Sequence, residues 1–356
     1  MRILHTSDLH LAEDQPRTLH ALSEILRVAR EYSVDIITIA GDLFDSHEDA
    51  EALRPQLRKE FSSNDFEVIV IPGNHDVEAY KGNLDFGSNL KVAVKEPYEL
   101  FTKDSTLIVA LPFTPSLNEG LLTRLKKETE RRETTLLLIH CTLDIGFSVG
   151  DFGEKETHKY CPISKATLSN LGFDYILAGH FHSNTTILQL GEKTKFVYPG
   201  SPVSHSTKEI GKRQIVLIDT VEGDCKSIQL QSFYRDFFYV TVTPEKEEYV
   251  ITKIREWINE RRNDICSLKI VVDGFIARDE QTFRCDIEKV AEEVERADVE
   301  IEHLYRDVKV VLEHPLYLRF KEKLNEKNLE EEKQKKIEHM VINALARLIR
   351  GRELGR

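Results

Sequence analysis

Up to about residue 220 the apolar residues of this chain fall into short, near-continuous runs, and most of the runs stop at a polar cluster. "RILHTSD" opens the chain; "DIITIAGD", "FEVIVIPGNHD", "STLIVALPF", "TTLLLIHCTLD", "DYILAGHFH", "FVYPGSP" and "RQIVLIDT" follow. Runs this short, rich in Val, Ile and Leu, predict strands buried on both faces. Helical patterns lie between the early ones. After Pro16, the residues Leu19, Leu22, Ile25, Leu26 and Ala29 share one helical face, and "EDAEALRPQLRKEF" reads as a second helix. Alternation of this kind predicts an α/β fold with helices covering a sheet. From Leu107 onward fewer helices separate the strands, which predicts a second, more antiparallel sheet. A four-layer sandwich with two sheets inside is the architecture that fits.

From about Phe233 the texture changes. "FFYVTVT" and "SLKIVVDGFI" read as strands, with "EEYVITKIREWINERR" and "CDIEKVAEEVERA" as helices between and after them. This is the pattern of a small α+β module. "EHPLYLRF" breaks it, and the remainder is helical, with Ile337, Met340, Val341, Ala344, Leu345 and Leu348 forming an apolar stripe. The expected domains are therefore 1–225, 232–312 and a helical tail, 315–356. The stripe has two readings, a helix folded onto its own chain or one that packs on a partner.

Composition narrows the setting. A chain of 356 residues has room for more than one domain. No run of about 18 apolar residues predicts a membrane span, and the opening segment reads as a strand rather than a signal peptide. Five scattered cysteines without a CxxC pair predict reduced thiols, and hence a cytoplasmic location. The net charge of −12 argues against binding a polyanion by bulk electrostatics. Residues 316–356 depart from it, with 11 Lys/Arg against 7 Asp/Glu. Bound metal ions can also supply positive charge locally.

Five clusters sit where strands end: Asp8 and His10 in "SDLHL", Asp42 and Asp45 in "GDLFD", Asn74, His75 and Asp76 in "GNHD", His140 in "LIH", and His180 and His182 in "GHFH". In open α/β sheets ligands bind beyond the carboxyl ends of the strands, so these clusters converge. Carboxylate, imidazole and amide oxygen without thiolate suit Mn²⁺, Fe²⁺ or Zn²⁺ better than Ca²⁺. Asp8, His10, Asp42, Asn74, His140, His180 and His182 are too many donors for one ion, and enough for two if one carboxylate is shared. A pair of ions about 3.5–4 Å apart acidifies a bridging water and clamps phosphoryl oxygens. The glycine before Asp42, Asn74 and His180 is expected to permit a sharp turn. His5, His20, His47, His158 and His205 fall in no motif, and "YPGSPVSHS" reads equally as a closing turn or a loop lining a substrate. His158 with Lys159 is a weaker candidate for a phosphate contact.

The order D-x-H, G-D-x-x-D, G-N-H-D, H, G-H-x-H resembles the calcineurin-like metallophosphoesterases. Within them "HTSDLHL", "AGDLFDS", "IPGNHD", "FDYILAGHFH" and "YPGSP" resemble the DNA repair nucleases of the SbcD type. The resemblance implies a phosphoesterase sandwich, an α+β capping domain that binds DNA, and a helical tail that grips an SMC-like coiled-coil ATPase (SbcC-type). It implies Mn²⁺-activated exonuclease and single-strand endonuclease activity in DNA repair, with Fe²⁺, Zn²⁺ or Mg²⁺ as other candidate ions, and a nucleoid-associated place in the cytoplasm. By motif, Asp8, His10 and His182 would hold one ion and Asn74, His140 and His180 the other, with Asp42 bridging. His75 would face the substrate as acid or charge stabiliser, with Asp45 and Asp76 in supporting or substrate-side positions. Asp45 stands where some relatives carry a second substrate-side His. The stretch "VEAYKGNLDFGSNL", where the family builds a helical homodimer interface, has little helical periodicity here. A small-substrate phosphodiesterase or phosphatase of the same fold, and a non-catalytic architectural subunit, are the competing readings.

Overall fold

Each early apolar run becomes a strand with both faces covered. In a computed structural model, residues 1–82, 85–130, 133–144, 161–183, 185–294, 298–327 and 329–353 are described, the side chains of 331, 343 and 346–353 aside. They form two compact units, Met1–Arg235 and Asp236–Arg356. His158 and Lys159, and the side chain of Leu348, lie outside the described residues.

The first unit begins with β1 (Arg2–Thr6), α1 (Pro16–Glu31), β2 (Ile36–Ala40), α2 (His47–Ser62), β3 (Glu67–Ile71) and β4 (Leu90–Val92). Pro16 opens α1, where its missing N–H costs nothing, and the Ser46 hydroxyl caps α2 by accepting from the Asp49 N–H. β1 to β4 pair in parallel, in sequence order. A second run follows: β5 (Glu99–Lys103), β6 (Thr106–Ala110), α3 (Glu119–Glu128), β7 (Thr134–His140), β8 (Thr142–Asp144), β9 (Pro162–Ser164), α4 (Lys165–Leu171), β10 (Tyr175–Gly179), β11 (Thr186–Leu190) and β12 (Thr194–Tyr198). Its sheet has the order β11-β12-β10-β7-β6-β5, with β8 and β9 a separate pair. The chain then returns through β13 (Gln214–Asp219) and β14 (Asp224–Gln229), which extend the first sheet antiparallel beside β1.

The second sheet corrects one expectation. Its β6, β7, β10 and β12 are parallel, and only the edge strands β5 and β11 run the other way. The crossovers are made by α3 and α4, which have 10 and 7 residues and are capped by Asn118 and Ser164. Helices so short carry too little periodicity to stand out among apolar runs.

Alternation along the strands builds the layers. In β2, Ile37 and Ile39 face a core shared with Leu22, Ile25, Leu53 and Leu57 of α1 and α2. Ile36 and Ala40 face inward, against Ile108, Leu136, Leu138 and Leu177 of the other sheet. Beyond that sheet, Leu137 and Ile176 pack with Leu125, Leu168 and Leu171 of α3 and α4. The first unit is thus a four-layer sandwich, helices outside and two mixed sheets within. After β3, the short 3₁₀ turn Val77–Tyr80 brings Tyr80 and then Phe86 inward onto Phe44. Those rings are spent on the core.

His5 makes a polar contact between the sheets. The His5 Nε2–H donates to the Ala178 carbonyl at 3.3 Å, because a carbonyl can only accept, and Nδ1 takes the Thr38 hydroxyl at 3.1 Å. Burial lowers the His5 pKa to about 4, so the ring is neutral in the folded state.

In the second unit β15 (Tyr234–Val242), α5 (Glu247–Asn259), β16 (Cys266–Ile276), α6 (Glu280–Glu293) and β17 (Val299–Asp307) form a three-stranded sheet in the order β15-β16-β17. Ile254 and Ile258 of α5 and Phe283 and Ile287 of α6 are fully buried. Then come α7 (Lys309–Leu312), α8 (Pro315–Asn325) and α9 (Glu331–Glu353), so the helices after residue 315 belong to the same unit as the strands. Ile342 and Leu345 of α9 pack with Phe275, Val308, Val311 and Tyr317. Met340 of the stripe is 69% exposed. No helix of the described residues is long and apolar enough to cross a membrane.

The close approach of the sheets is testable at Gly179. A Cβ there would lie 1.9 Å from the Ala40 carbonyl oxygen and 2.8 Å from the Ser7 Cβ. Gly179→Ala is therefore expected to cost about 1–3 kcal/mol by overpacking, read as a lowered Tm in thermal denaturation. An unchanged Tm would show that the strand ends can part freely. For His5 the unfolded ring, with a pKa near the ordinary 6.5, takes up a proton before the folded one does. Stability present above pH 6.5 is lost as pH falls toward about 4. Thermal melts across this window should show a steeper decline for wild type than for His5→Asn, and parallel declines would contradict the assignment.

Candidate metal centre

The carboxyl ends of β1, β2 and β3 in one sheet meet those of β7 and β10 in the other. The loops after β1 and β2 run side by side, with the Asp8 and His10 N–H groups donating to the Gly41 and Asp42 carbonyls at 3.1 and 3.0 Å. To aim their side chains inward, Asp8, His10, Asp42 and His180 adopt positive φ values of 54°, 45°, 51° and 99°. Such backbone costs about 1–3 kcal/mol per residue and persists where packing over-determines it. Of the three glycines expected to permit turns, only Gly41 has positive φ, +88°. Gly73 and Gly179 are there for room: a Cβ on Gly73 would sit 2.1 Å from Asp42 Oδ1.

All seven sequence-derived donors come together. On one side Asn74 Oδ1 lies 2.7 Å from His140 Nε2 and 3.1 Å from His180 Nδ1, with the two nitrogens 3.2 Å apart. On the other, His10 Nε2 faces His182 Nε2 at 3.3 Å, and Asp8 Oδ1 lies 3.7 Å from His182 Nε2. Between them Asp42 Oδ2 is 3.4 Å from His140 Nε2 and 3.9 Å from His10 Nε2. Asp8, His10 and His182 form one group able to hold a cation, and Asp8, Asp42 and His140 another.

The positions of the ring protons decide whether a metal fits. His140 Nδ1 is 2.8 Å from the Ala40 carbonyl and must carry the proton there. Burial lowers the pKa of this ring, against Asp8, so it is neutral and its Nε2 presents a lone pair. That lone pair points at the Asn74 carbonyl oxygen, another acceptor. His182 Nδ1 faces Glu209 Oε1 at 3.3 Å, which turns its Nε2 toward that of His10, while His10 Nδ1 lies 3.3 Å from Asp45 Oδ1. Burial and the neighbouring His140 take the His180 pKa down to about 3. Acceptors crowded against acceptors, with Asp8 and Asp42 0% and 1% exposed, fit divalent cations and little else. Burial alone would raise the Asp8 pKa, but the facing His182, whose own pKa is raised, holds it below the ordinary carboxylate value.

The supporting residues sort by contact. Asp45 stands beside His10, half-exposed, and the imidazole holds its carboxyl below the usual range. Asp76 is fully buried and faces no substrate. It accepts from the N–H groups of Gly73 (2.7 Å), Leu43 (2.8 Å) and Phe44 (3.3 Å) and from the Tyr80 hydroxyl (2.8 Å), tying the "GDLFD" and "GNHD" loops together. His75 is exposed, with its ring 5.3 Å from that of His10, and its N–H donates to Asp42 Oδ1 at 3.0 Å. That bond ties down one Asp42 oxygen and leaves Oδ2 between the donor groups. Glu209 and His205, absent from the motif set, also reach the centre: His205 Nε2–H donates to the Asp8 carbonyl at 3.1 Å. Glu209 lies 27 residues after His182, in a stretch with no motif to mark it.

A family model for calcineurin-like phosphoesterases matches residues 1–184. The chain is 25% identical over 250 residues to the uncharacterized metallophosphoesterase YhaO of Bacillus subtilis (strain 168), covering 63% of this chain and 58% of that one, less than two thirds of the relative's length. Among solved structures it resembles a dimetal phosphatase from Danio rerio, with 11% identity and a TM-score of 0.45, over 61% of this chain and 91% of that chain. It also resembles the Pseudomonas putida nuclease MPE, with 14% identity and a TM-score of 0.31, over 64% and 87% of the two chains. The family match spans more than half of the sequence and contains every one of the seven converging donors, and the chain belongs to the calcineurin-like phosphoesterases, a family of metal-dependent phosphoester hydrolases.

Proposed function

We propose that the protein is a metal-dependent DNA nuclease that hydrolyses phosphodiester bonds at a two-metal centre. The observation that carries the two-metal part is the position of Asp42 Oδ2 between two donor groups. Asp8, His10 and His182 would hold one ion, Asn74, His140 and His180 the second, and Asp42 would bridge. When bound, the two ions supply an acidified water and offset charge on the phosphoryl oxygens, with Mn²⁺ the favoured pair and Fe²⁺, Zn²⁺ or Mg²⁺ alternatives.

The chain's own groups do the rest. The neutral imidazoles of His140 and His180 keep their lone pairs for ligation, and Asp76 holds the two loops in register. His75, exposed beside His10, would give a proton to the leaving oxygen or steady charge on it. DNA as substrate is supported by the SbcD-like run of motifs, and by a centre whose His75 and half-exposed Asp45 face solvent, open to a polymer. The α+β unit is the proposed DNA-binding cap. An SMC-like ATPase is the proposed partner of the helical segment, where Val310, Leu316, Leu318 and Met340 are each more than half exposed. The net charge of −12 favours the rival, a small-substrate phosphodiesterase.

With Mn²⁺, wild-type protein is expected to degrade labelled linear and single-stranded DNA, and Asp42→Ala to leave it intact. Cleavage of a small phosphodiester alone, with DNA untouched even when a coiled-coil ATPase is supplied, would favour the rival. His75→Ser should retain the metal content of wild type while kcat falls about 10²–10⁴-fold. Metal analysis that finds the ions lost would remove His75 from the proton-donor role.

A further inference from the structure

Beyond the matched residues 1–184, one segment is wrapped around a single side of the centre. Glu209 is 8% exposed, and its Oε1 faces His182 Nδ1 at 3.3 Å. The Ser206 hydroxyl donates to the same Oε1 at 3.0 Å, and the His205 N–H to Oε2 at 2.8 Å. Arg213, 2% exposed, donates from Nε to the Ser201 carbonyl at 2.9 Å and from Nη2 to the His182 carbonyl at 2.5 Å. His205 reaches the Asp8 carbonyl and sets its ring 5.0 Å from that of His10. The contacts fall on Asp8, His10 and His182, the members of one donor group.

We infer that residues 201–213 form a latch on the Asp8–His10–His182 group, in which Glu209 is the positioning residue for His182 and Arg213 anchors its backbone. The inference rests on the two-metal reading above. A carboxylate that accepts from Nδ1–H fixes the tautomer, turns Nε2 toward the ion and makes it a stronger donor. Arg213 argues the same way. Its Nη1 is buried without a hydrogen-bond partner, a cost that an apolar filler would avoid. The guanidinium stays because it holds the His182 carbonyl.

The test is Mn²⁺ titration of the full chain by calorimetry, with electron paramagnetic resonance to separate paired from single ions. Wild type should bind two ions. Glu209→Ala should keep one at wild-type affinity and weaken the other about 10–100-fold, replacing the coupled spectrum with that of an isolated ion. Glu209→Gln, which keeps an acceptor oxygen without the charge, should fall between them, and it carries the test if the alanine variant does not fold. Equal weakening of both sites overturns the latch. So does unchanged affinity accompanied by a lower Tm of the metal-free protein, which would make the segment merely structural. If wild type itself binds fewer than two ions, the two-metal reading fails first and the latch with it. Two ions bound equally well by wild type and Glu209→Ala overturn the latch alone.

Discussion

Opposed lone pairs at the junction of the two sheets are the constraint on which the rest of this structure turns. The Ala40 carbonyl, at the end of β2, accepts a hydrogen bond from His140 Nδ1–H across the gap between sheets. That one bond decides which nitrogen of His140 points at Asn74 Oδ1, and with it the character of the whole centre. Strand ends that present acceptors to acceptors repel one another locally unless a cation sits between them. The sandwich supplies the force that brings them there. Buried apolar side chains contribute about 1.5–3 kcal/mol each, and the layer between the sheets holds many. Against that, four left-handed residues at about 1–3 kcal/mol apiece are a cost the core can carry.

Core and centre are therefore one packing problem. Gly179 lets β10 approach the Ala40 carbonyl, while His5 and Thr38 spend two polar side chains on the same interface. Asp76 extends this logic to the loops. A carboxylate with four donors is fully satisfied although buried, so it can hold the "GNHD" and "GDLFD" loops together without needing a cation of its own. Its neighbour His75, one residue earlier, faces solvent while Asp76 fixes the backbone between them.

Much of this was legible from residues alone. The seven donors lie within a few residues of strand ends, where local order and spatial position coincide, and so the motifs found them. The strands, α1 and α2 were legible for the same local reason. Contacts set by tertiary structure were not. Asp76 acts on backbone groups 32 and 33 residues away, and Glu209 on a ring 27 residues away; neither distance leaves a periodic trace. The parallel sense of the second sheet was hidden by the brevity of α3 and α4. In α9 the stripe contains Leu345, which packs inward, but misses Ile342, which is 3% exposed. A period of 3.6 defines an apolar sector without saying which edge of it meets a neighbour.

The acidity of the chain and its chemistry are reconciled by distance. At physiological ionic strength exposed charges are screened beyond about 8 Å, so a net charge spread over the surface has little hold on a phosphate already at the centre. What that phosphate would meet is local: neutral imidazoles held so by burial, as at His140 and His180, and whatever positive charge their lone pairs gather. A basic surface would speed the encounter with a polyanion, whereas hydrolysis needs charge only where the bond breaks. On the proposed reading, a chain whose cationic chemistry comes from bound ions would have no need to display it as lysine and arginine, and an acidic exterior would cost association rate rather than catalytic competence.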